Sequence, residues 1–526
     1  MRGHVNDYLR GIVGWTIVVL GFISSGLTRL CMIGYRRNQT RLKRKYDIRR
    51  NTPVLPYGPR IEESIKTAAS KARRNAQFAQ TSGSTGNPKQ ILYTKRRLLK
   101  LKITFSDMFA RACHAFSIKR PSLYVFNSFQ SDASLTALLL DEQTLPNYFS
   151  TLQAPYRVQL TPTVQALVSQ YSPAAVRLWI LTISNPGVLY STNPSTISTF
   201  LDELANGWHQ SSKLIRDWCE GPATFPREVH MIARRLDSRG SARRLKQIAS
   251  SDTSLPLSIC APAVEAYICW TGGYVKPFLD RLAKHLPSPR YKLIPMYSMS
   301  TETIETLPHF RNNDIAFLPT ASGVVYEFIE EKTTDRAENL VNPHQLEPGK
   351  LYAMVVSDAY GLKRYQTDDL FLCKRKVNRL PDLAFARRRS LEYSFTGEKL
   401  TAEQLSTVFD RLRTLYPALL ADRFLTCVPT QPLHAIPHYQ VLLIGNRHLN
   451  SHDLLATRCD QLLSEINCEY KSKRASGRLG PLTFIEIETK DFAEQVASNG
   501  NWETQFKFLP LHVLPALHTP NVTRVS

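Results

Sequence analysis

The sequence predicts an α/β protein with a large N-terminal body and a smaller α+β C-terminal domain. Three observations carry that expectation. Strand-like runs alternate with helix-like runs from about residue 61 to 388. The same alternation restarts on a smaller scale after 388. The chain is 526 residues long and 43% hydrophobic, enough for one large core and a second, smaller one.

The elements are expected in this order. NTPVLPYGPR (51–60), rich in Pro and Gly, reads as a linker. Residues 61–120 mix helical periods with one Gly/Ser/Thr-rich interruption, QTSGSTGNPKQ. A helix follows over Leu98–His114, with Leu98, Leu99, Ile103 and Phe109 as its apolar contacts. SLYVF (122–126) and VRLWILTIS (176–184) read as buried strands, and 195–255 as mostly helical and basic. SLPLSICAPA (254–263), the turn TGG (271–273) and VKPFLDRLAKHL (275–286) read as strand, loop and helix. KLIPMYS (292–298), VVYEFIE (324–330) and KLYAMVVS (350–357) are further strands. Beyond 388 come a short strand at Glu392–Phe395, a helix from Thr401, a strand at 438–445, a helix over 451–466 and a strand at 481–488. The division is therefore 1–50, 51–388 and 389–526.

Composition narrows the chemistry. Nine Cys are scattered with no CxxC, and 13 His form no HExxH, which disfavours a disulfide scaffold and a zinc hydrolase. Cys269 reads as a core thiol and His438 as a structural partner. The net charge of +23 implies anionic partners, whether nucleotide, membrane or nucleic acid. No zinc finger or RNA-recognition module is readable, so nucleic acid is not expected.

The charge is concentrated at the start. Residues 1–50 carry eleven Lys/Arg against Asp7 and Asp47, and 11–28 is an uncharged stretch, GIVGWTIVVLGFISSGLT. Eighteen residues lie at the lower limit of spanning length. A membrane anchor or surface helix and a soluble segment docked on the body both fit this stretch. The basic run after Arg29 would lie on the cytoplasmic side, so the expected location is cytoplasmic, with membrane contact through 1–50 left open.

The sharpest local signal is Thr81-Ser82-Gly83-Ser84-Thr85-Gly86-Asn87-Pro88-Lys89. Small residues let backbone N–H groups approach a polyphosphate, hydroxyls add donors, and Lys89 adds charge. Asn-Pro separates the second Gly from Lys, so this is not a P-loop, and it is not GxGxxG.

This loop resembles the SSGTTGxPK loop of the adenylate-forming (acyl-AMP ligase) superfamily. Pieces downstream resemble its auxin-responsive acyl acid–amido synthetase branch: CWTGG (269–273), IPMYSMSTE (294–302), VVYEFIE, GLKRYQTDD (361–369), LAFARRR with FTGEKLTAEQL (383–405), HYQVLLI (438–444) and TQFKFLP (504–510). The resemblance implies an ATP-dependent ligase whose body binds ATP, Mg²⁺ and a carboxylic acid, and whose C-terminal domain is mobile. It implies that Thr81, Ser82, Gly83, Ser84, Thr85, Gly86 and Lys89 hold phosphates and that Tyr297 packs on adenine. Thr301 would precede a Mg²⁺-holding Glu302, and Asp369 would bind ribose hydroxyls. Arg388 would contact ribose or phosphate, and Lys507 the transferring carboxylate and α-phosphate. Asp368 stands where the family has Gly, and Leu511 and His512 follow Pro510 where the family has Arg. The implied product is an amide made with an amine or amino-acid acceptor. The alternatives are a thioester on coenzyme A or a carrier protein, a nucleic-acid-binding protein, and a membrane-tethered protein that keeps the fold but not the reaction. Read without the family, Glu302 also fits a helix capping box begun by Ser300 or Thr301.

Overall fold

Residues 19, 21–24, 34–72, 76–80, 89–126, 129, 135, 161–272, 275–296, 298–311, 314–389, 392–395, 398–420, 423–432, 436–445, 452–489, 491, 492 and 509–512 are described by the computed structural model of the chain. Two helices, α1 (Tyr35–Lys45) and α2 (Pro59–Ala72), precede the antiparallel pair β1 (Ala76–Gln80) and β2 (Gln90–Thr94). Of the phosphate-loop motif, which lies between these two strands in the chain, residues 81–88 are outside the described residues and Lys89 is within them. Thr94 ends β2 and caps α3 (Lys95–Ala115): its hydroxyl accepts the Arg97 N–H at 3.1 Å. The expected helix over 98–114 is thus present and longer. Leu98 is buried and Phe109 packs half-buried against the core as expected, but Ile103 is 58% exposed, and further buried contacts come from Leu101, Met108, Ala110 and Cys113.

The body is built around a parallel sheet. Its strands β3 (Leu123–Val125), β4 (Val188–Tyr190), β5 (Ala266–Cys269) and β6 (Lys292–Pro295) pair in chain order. Parallel neighbours need long crossovers, and helices supply them: α4 (Pro162–Gln170) and α5 (Pro173–Ser184) between β3 and β4, then α6 (Pro194–Asn206), α7 (Trp208–Glu220), α8 (Arg227–Leu236), α9 (Ser241–Ala249) and the short α10 (Leu257–Cys260) before β5, and α11 (Lys276–His285) before β6. Helices over 195–255 match the expectation.

Two strand expectations fail here. Residues 176–184 belong to α5, not to a strand. A run this apolar, broken only by Arg177, Thr182 and Ser184, carries no clear period, so it fits a buried strand or a helix buried on all sides. Every residue from Ala174 to Ser184 is buried. Ser172, whose side chain accepts the Ala175 N–H, and Pro173 at the first turn start a helix, and Asn185 in the left-handed region ends it. Likewise 254–263 contains α10, and the strand lies later, at β5. Cys269 at the end of β5 is fully buried and burial pushes its thiol pKa up, as a core thiol requires.

A second layer follows: the hairpin β7 (Leu307–Arg311) and β8 (Asp314–Leu318), then the antiparallel meander β9 (Val325–Glu330), β10 (Leu351–Ser357), β11 (Tyr365–Val377) and β12 (Leu380–Arg388). The β10–β11 register jumps: Ala353 faces Leu370 but Val355 faces Gln366. The extra residues of β11 make a bulge at 367–369. Asp368 sits there with φ 63°, a left-handed conformation that Asp tolerates better than most side chains. Residues 51–60 are not a free linker. Leu55 pairs with Tyr365, its N–H donating to Arg364 O at 3.0 Å and its carbonyl accepting from Gln366 N at 2.9 Å. Gly361, at φ 106°, lies so close to α2 that a Cβ would meet the Ile65 backbone at 2.6 Å.

The chain divides into two compact units, one chiefly of residues up to Ala386 and the other chiefly from Arg387 onward. In the second, β13 (Glu392–Tyr393) pairs with β14 (Leu400–Thr401), and Thr401 and Gln404 form a capping box that starts α12 (Ala402–Leu415). A three-stranded sheet, β15 (Phe424–Thr430), β16 (His438–Ile444) and β17 (Thr483–Ile487), packs with α13 (His452–Ile466) and α14 (Cys468–Ala475) around a separate core. Glu398 of the GEK motif is buried at the heart of this unit: it accepts from Tyr439 Oη at 2.6 Å and from the Phe395 N–H at 2.7 Å. The late segment 509–512 docks beside β15. Cys427 N donates to Pro510 O at 2.8 Å, His512 N donates to Cys427 O at 2.9 Å, and the Leu509 N–H donates to His512 Nε2 at 3.2 Å.

No helix among the described residues is long and apolar enough to cross a membrane. Of the apolar stretch 11–28, only Val19 and Gly21–Ser24 are described. Gly21 approaches α3 so closely that a Cβ would stand 2.2 Å from Ala110 O, and Ser24 hydrogen-bonds Asp107.

Candidate active site

Lys89, the last residue of the phosphate-loop motif, enters β2 and reaches across the body to the turn before β7. Its ammonium lies 3.3 Å from Glu302 Oε1 and 3.0 Å from Tyr365 Oη. Tyr365 Oη donates to the same Glu302 oxygen at 3.1 Å. Tyr57, from the segment expected to be a linker, adds its ring 5.5 Å from the ammonium, and its hydroxyl accepts the Gln90 N–H at 3.1 Å. A cation is thus held between a carboxylate and two aromatic faces. Burial and then the neighbouring carboxylates of Glu302, Asp369 and Asp368 push the Tyr365 pKa far up, so this phenol stays protonated and acts as a donor.

Glu302 does not cap a helix. The Ser300 N–H donates to Thr303 O at 3.0 Å and Met299 bridges Ile304, so 300–303 is a tight turn that presents the carboxylate from one side. Arg97 holds the turn from behind. Its Nη2 donates to Glu302 O at 2.7 Å and lies 3.3 Å from Asp358 Oδ2, while Nη1 donates to Leu92 O at 2.6 Å. Its guanidinium is sandwiched between the rings of Tyr93 (4.3 Å) and Tyr360 (4.7 Å). Tyr93 Oη donates to Thr301 O at 2.8 Å. Asp358, fully buried, accepts the N–H groups of Tyr360 (2.7 Å) and Leu362 (3.1 Å). Burial raises its pKa, with Arg97 and those two N–H groups opposing the rise.

The GLKRY stretch is equally tied. Arg364 pairs with Glu327 at 2.9 Å and donates to Thr52 O at 2.6 Å, and Lys43 of α1 lies 2.8 Å from the same carboxylate. Burial alone would raise the Glu327 pKa; Arg364 and Lys43 together hold it below the usual carboxylate range. Asp369 lies on the bulge, buried, with the Thr367 hydroxyl accepting its N–H at 3.3 Å.

Lys89, Thr301, Glu302 and the Asp368–Asp369 pair are therefore gathered around Tyr365. Residues 81–86, Tyr297 and Lys507 lie outside the described residues, as does the Arg388 side chain; Arg388 itself ends β12. Sequence reasoning missed Tyr57, Tyr93, Arg97 and Asp358. Nothing local marks Arg97 as a partner of residues more than 200 positions away.

The strands that carry Tyr365, Asp369 and Arg388 lie in a stretch, residues 317–388, that matches the GH3 family central domain. Proteins similar to this chain include the indole-3-acetic acid-amido synthetase GH3.3 of Arabidopsis thaliana, 21% identical over 36% of this chain and 33% of that protein. Another is the indole-3-acetic acid-amido synthetase GH3.8 of Oryza sativa subsp. indica, 25% identical over 32% of this chain and 30% of that protein. The chain thus spans about a third of the length of these two GH3 relatives. The fold likeness extends further. The AtGH3.15 acyl acid amido synthetase in complex with 2,4-DB superposes with a TM-score of 0.66 at 17% identity, over 90% of this chain and 86% of that one. The fold is similar to that of the GH3.15 acyl acid amido synthetase.

Proposed function

We propose that the protein is an ATP-dependent ligase that activates a carboxylic acid as its acyl-adenylate and passes the acyl group to an amine, an amino acid above all. The observation that carries the reading is the joining of Lys89, Glu302 and Tyr365 into one contact on the GH3 fold. A carboxylate oxygen attacks the α-phosphorus, a P–O bond forms, and the bond to pyrophosphate breaks. Negative charge builds on the leaving group, where fixed cations and backbone N–H groups stabilise it. Loop 81–89 takes that role, and Lys89 exchanges its contact with Glu302 for phosphate. Asp369 takes the ribose hydroxyls, Tyr297 the adenine, and Arg388 and Lys507 the anionic centre. In the second step the amine nitrogen attacks the acyl carbon, AMP departs with the bonding pair, and the nitrogen proton passes to solvent. Residues 51–388 act as the ATP- and acid-binding body and 389–526 as a mobile domain. Location on the cytoplasmic side, with membrane contact through 1–50, belongs to the same proposal.

Mg²⁺ fits this site in one way only. Among the described residues no group of three or more His, Cys, Asp or Glu side chains could hold a metal. A lone Glu302 carboxylate suits an ion that takes its other ligands from phosphate and water. Mg²⁺ bound there would neutralise phosphate charge.

The alternative, a thioester product on coenzyme A or a carrier thiol, shares the first step. Incubating the protein with ATP, Mg²⁺ and a panel of carboxylic acids, each with amino acids or with coenzyme A, and weighing the products separates the two. Amide masses support the proposal. Thioesters alone replace it with the alternative.

A further inference from the structure

Helix α1 has an inner stripe, Tyr35, Gln39 and Leu42, packed on the body: Tyr35 Oη donates to Pro319 O and Gln39 Nε2 to Val324 O. Its outer face is cationic. Arg36, Arg37, Arg41 and Arg44 are exposed and line one open depression with Thr40. The helix contains no acidic residue, and no described carboxylate pairs with any of these four guanidinium groups. Arg37 and Arg41, four apart, repel one another, and Arg36 and Arg37 stand in the first turn, where the helix dipole also disfavours cations. Arg44, in the last turn, is favoured by the same dipole, so the face does not strain the helix as a whole; it offers four exposed cations in one depression to an anionic partner.

The charge continues onto α3. Burial and then Arg96, Lys45 of α1 and Arg97 depress the Lys100 pKa, so the end of α1 and the start of α3 form one positive field. One turn beyond Lys100 the character changes. Ile103 projects with 58% exposure. Its face of α3 continues through Asp107, Ala110 and His114, which hold the described piece of the apolar N-terminal stretch: Ser24 bonds Asp107, Gly21 abuts Ala110, and the Phe22 ring lies 5.4 Å from that of His114. Phe22 and Ile23 remain 66% and 52% exposed.

We propose that this strip docks on an anionic lipid bilayer, with the arginines of α1 on headgroup phosphates and Phe22, Ile23 and Ile103 in the interfacial layer. Apolar side chains protruding beside unpaired cations match a lipid surface. A nucleic acid would use successive stacking aromatics along a basic groove; among the exposed apolar side chains described on this strip Phe22 is the single aromatic, and Ile23 and Ile103 offer it nothing. This docking rests on the membrane contact proposed above for residues 1–50 and uses none of the ligase chemistry, so vesicle binding and ligation fail independently.

The test is sedimentation of the full chain with phosphatidylcholine vesicles, with or without 30 mol% phosphatidylserine, at 150 mM salt. Binding to the anionic vesicles only is expected. Replacing all four arginines with Gln (R36Q/R37Q/R41Q/R44Q) should lower the partition coefficient about a hundredfold or more, since each cation near the surface is worth about fivefold. I103S should lower it severalfold without changing its salt dependence. An arginine-to-Glu set must abolish binding, and circular dichroism with thermal melting establishes that every variant is folded. No binding to anionic vesicles overturns the proposal. So does equal binding to neutral vesicles, binding unchanged in the folded Gln variant, or tighter arginine-dependent capture by tRNA or an acidic peptide.

Discussion

Arg97 is the residue whose removal should cost most for its size. In Arg97→Ala the Asp358 carboxylate stays buried without its cation, and two buried carbonyls, Leu92 O and Glu302 O, lose charged donors. Breaking one side of a buried ion pair is worth about 3–5 kcal/mol, and a hydrogen bond to a charged group about 1.5–3 kcal/mol. These overlap, because Asp358 keeps the Tyr360 and Leu362 N–H groups, so a net loss of about 3–5 kcal/mol is expected. Arg97→Lys keeps the charge but not the fork or the stacking between Tyr93 and Tyr360, and should cost about 1–2 kcal/mol. Denaturant unfolding followed by tryptophan fluorescence measures both. The cycle with Asp358→Asn adds a sharper demand: the double variant should recover at least about 1 kcal/mol relative to the sum of the singles. If Arg97→Ala loses less than about 1 kcal/mol, or the cycle is additive, the cluster is not what holds the Glu302 turn.

Other outcomes follow from the same geometry. Tyr365→Phe removes the hydroxyl that donates to Glu302 and meets Lys89, and should raise the KM for ATP about tenfold with thermal stability changed by no more than about 2 kcal/mol. Asp368→Gly, at φ 63°, should fold with stability within about 1 kcal/mol of the parent, whereas Asp368→Val should lose about 2 kcal/mol, as thermal melting would show. Gly361→Ala must push against the Ile65 backbone and is expected to lower the melting temperature by several degrees. Burial holds the His512 pKa down at about 4. Its neutral form is favoured in the fold, so its contribution is complete above the ordinary value near 6.5 and drains as pH falls toward 4. About 2 kcal/mol should be lost between pH 7 and 5, and His512→Gln should flatten that part of the stability profile of the second unit.

The parts of the fold legible in the sequence are those with a period or a punctuation. Strands at 325–330 and 351–357 and helices at 276–285 and 402–415 all had one. The stretch 173–184 had neither inside it. Only Ser172-Pro173 at its edge distinguished a helix from a strand, and that cue is easily outweighed by nine apolar or β-branched residues. Composition misled at 51–60, where Pro and Gly shape a segment that is nonetheless pinned by Leu55 to Tyr365 and by the Arg364 fork. Glu302 and Lys89 were legible as pieces of ordered motifs, and the structure brings them within 3.3 Å. Arg97, Tyr93 and Asp358 were not, since their meaning lies in contacts between β2, α3 and the turn at 300–303 that no local pattern encodes. The bulge at Asp368 explains how a carboxylate can occupy a position where the resemblance calls for Gly.

Exchange of labelled pyrophosphate into ATP reports directly on whether the protein forms acyl-adenylates. With Mg²⁺ and a broad panel of carboxylic acids, the account predicts exchange that depends on at least one acid and falls at least a hundredfold in Lys89→Ala while the variant remains folded. Folded protein that binds ATP but gives no exchange with any acid, or exchange untouched by Lys89→Ala, would contradict it.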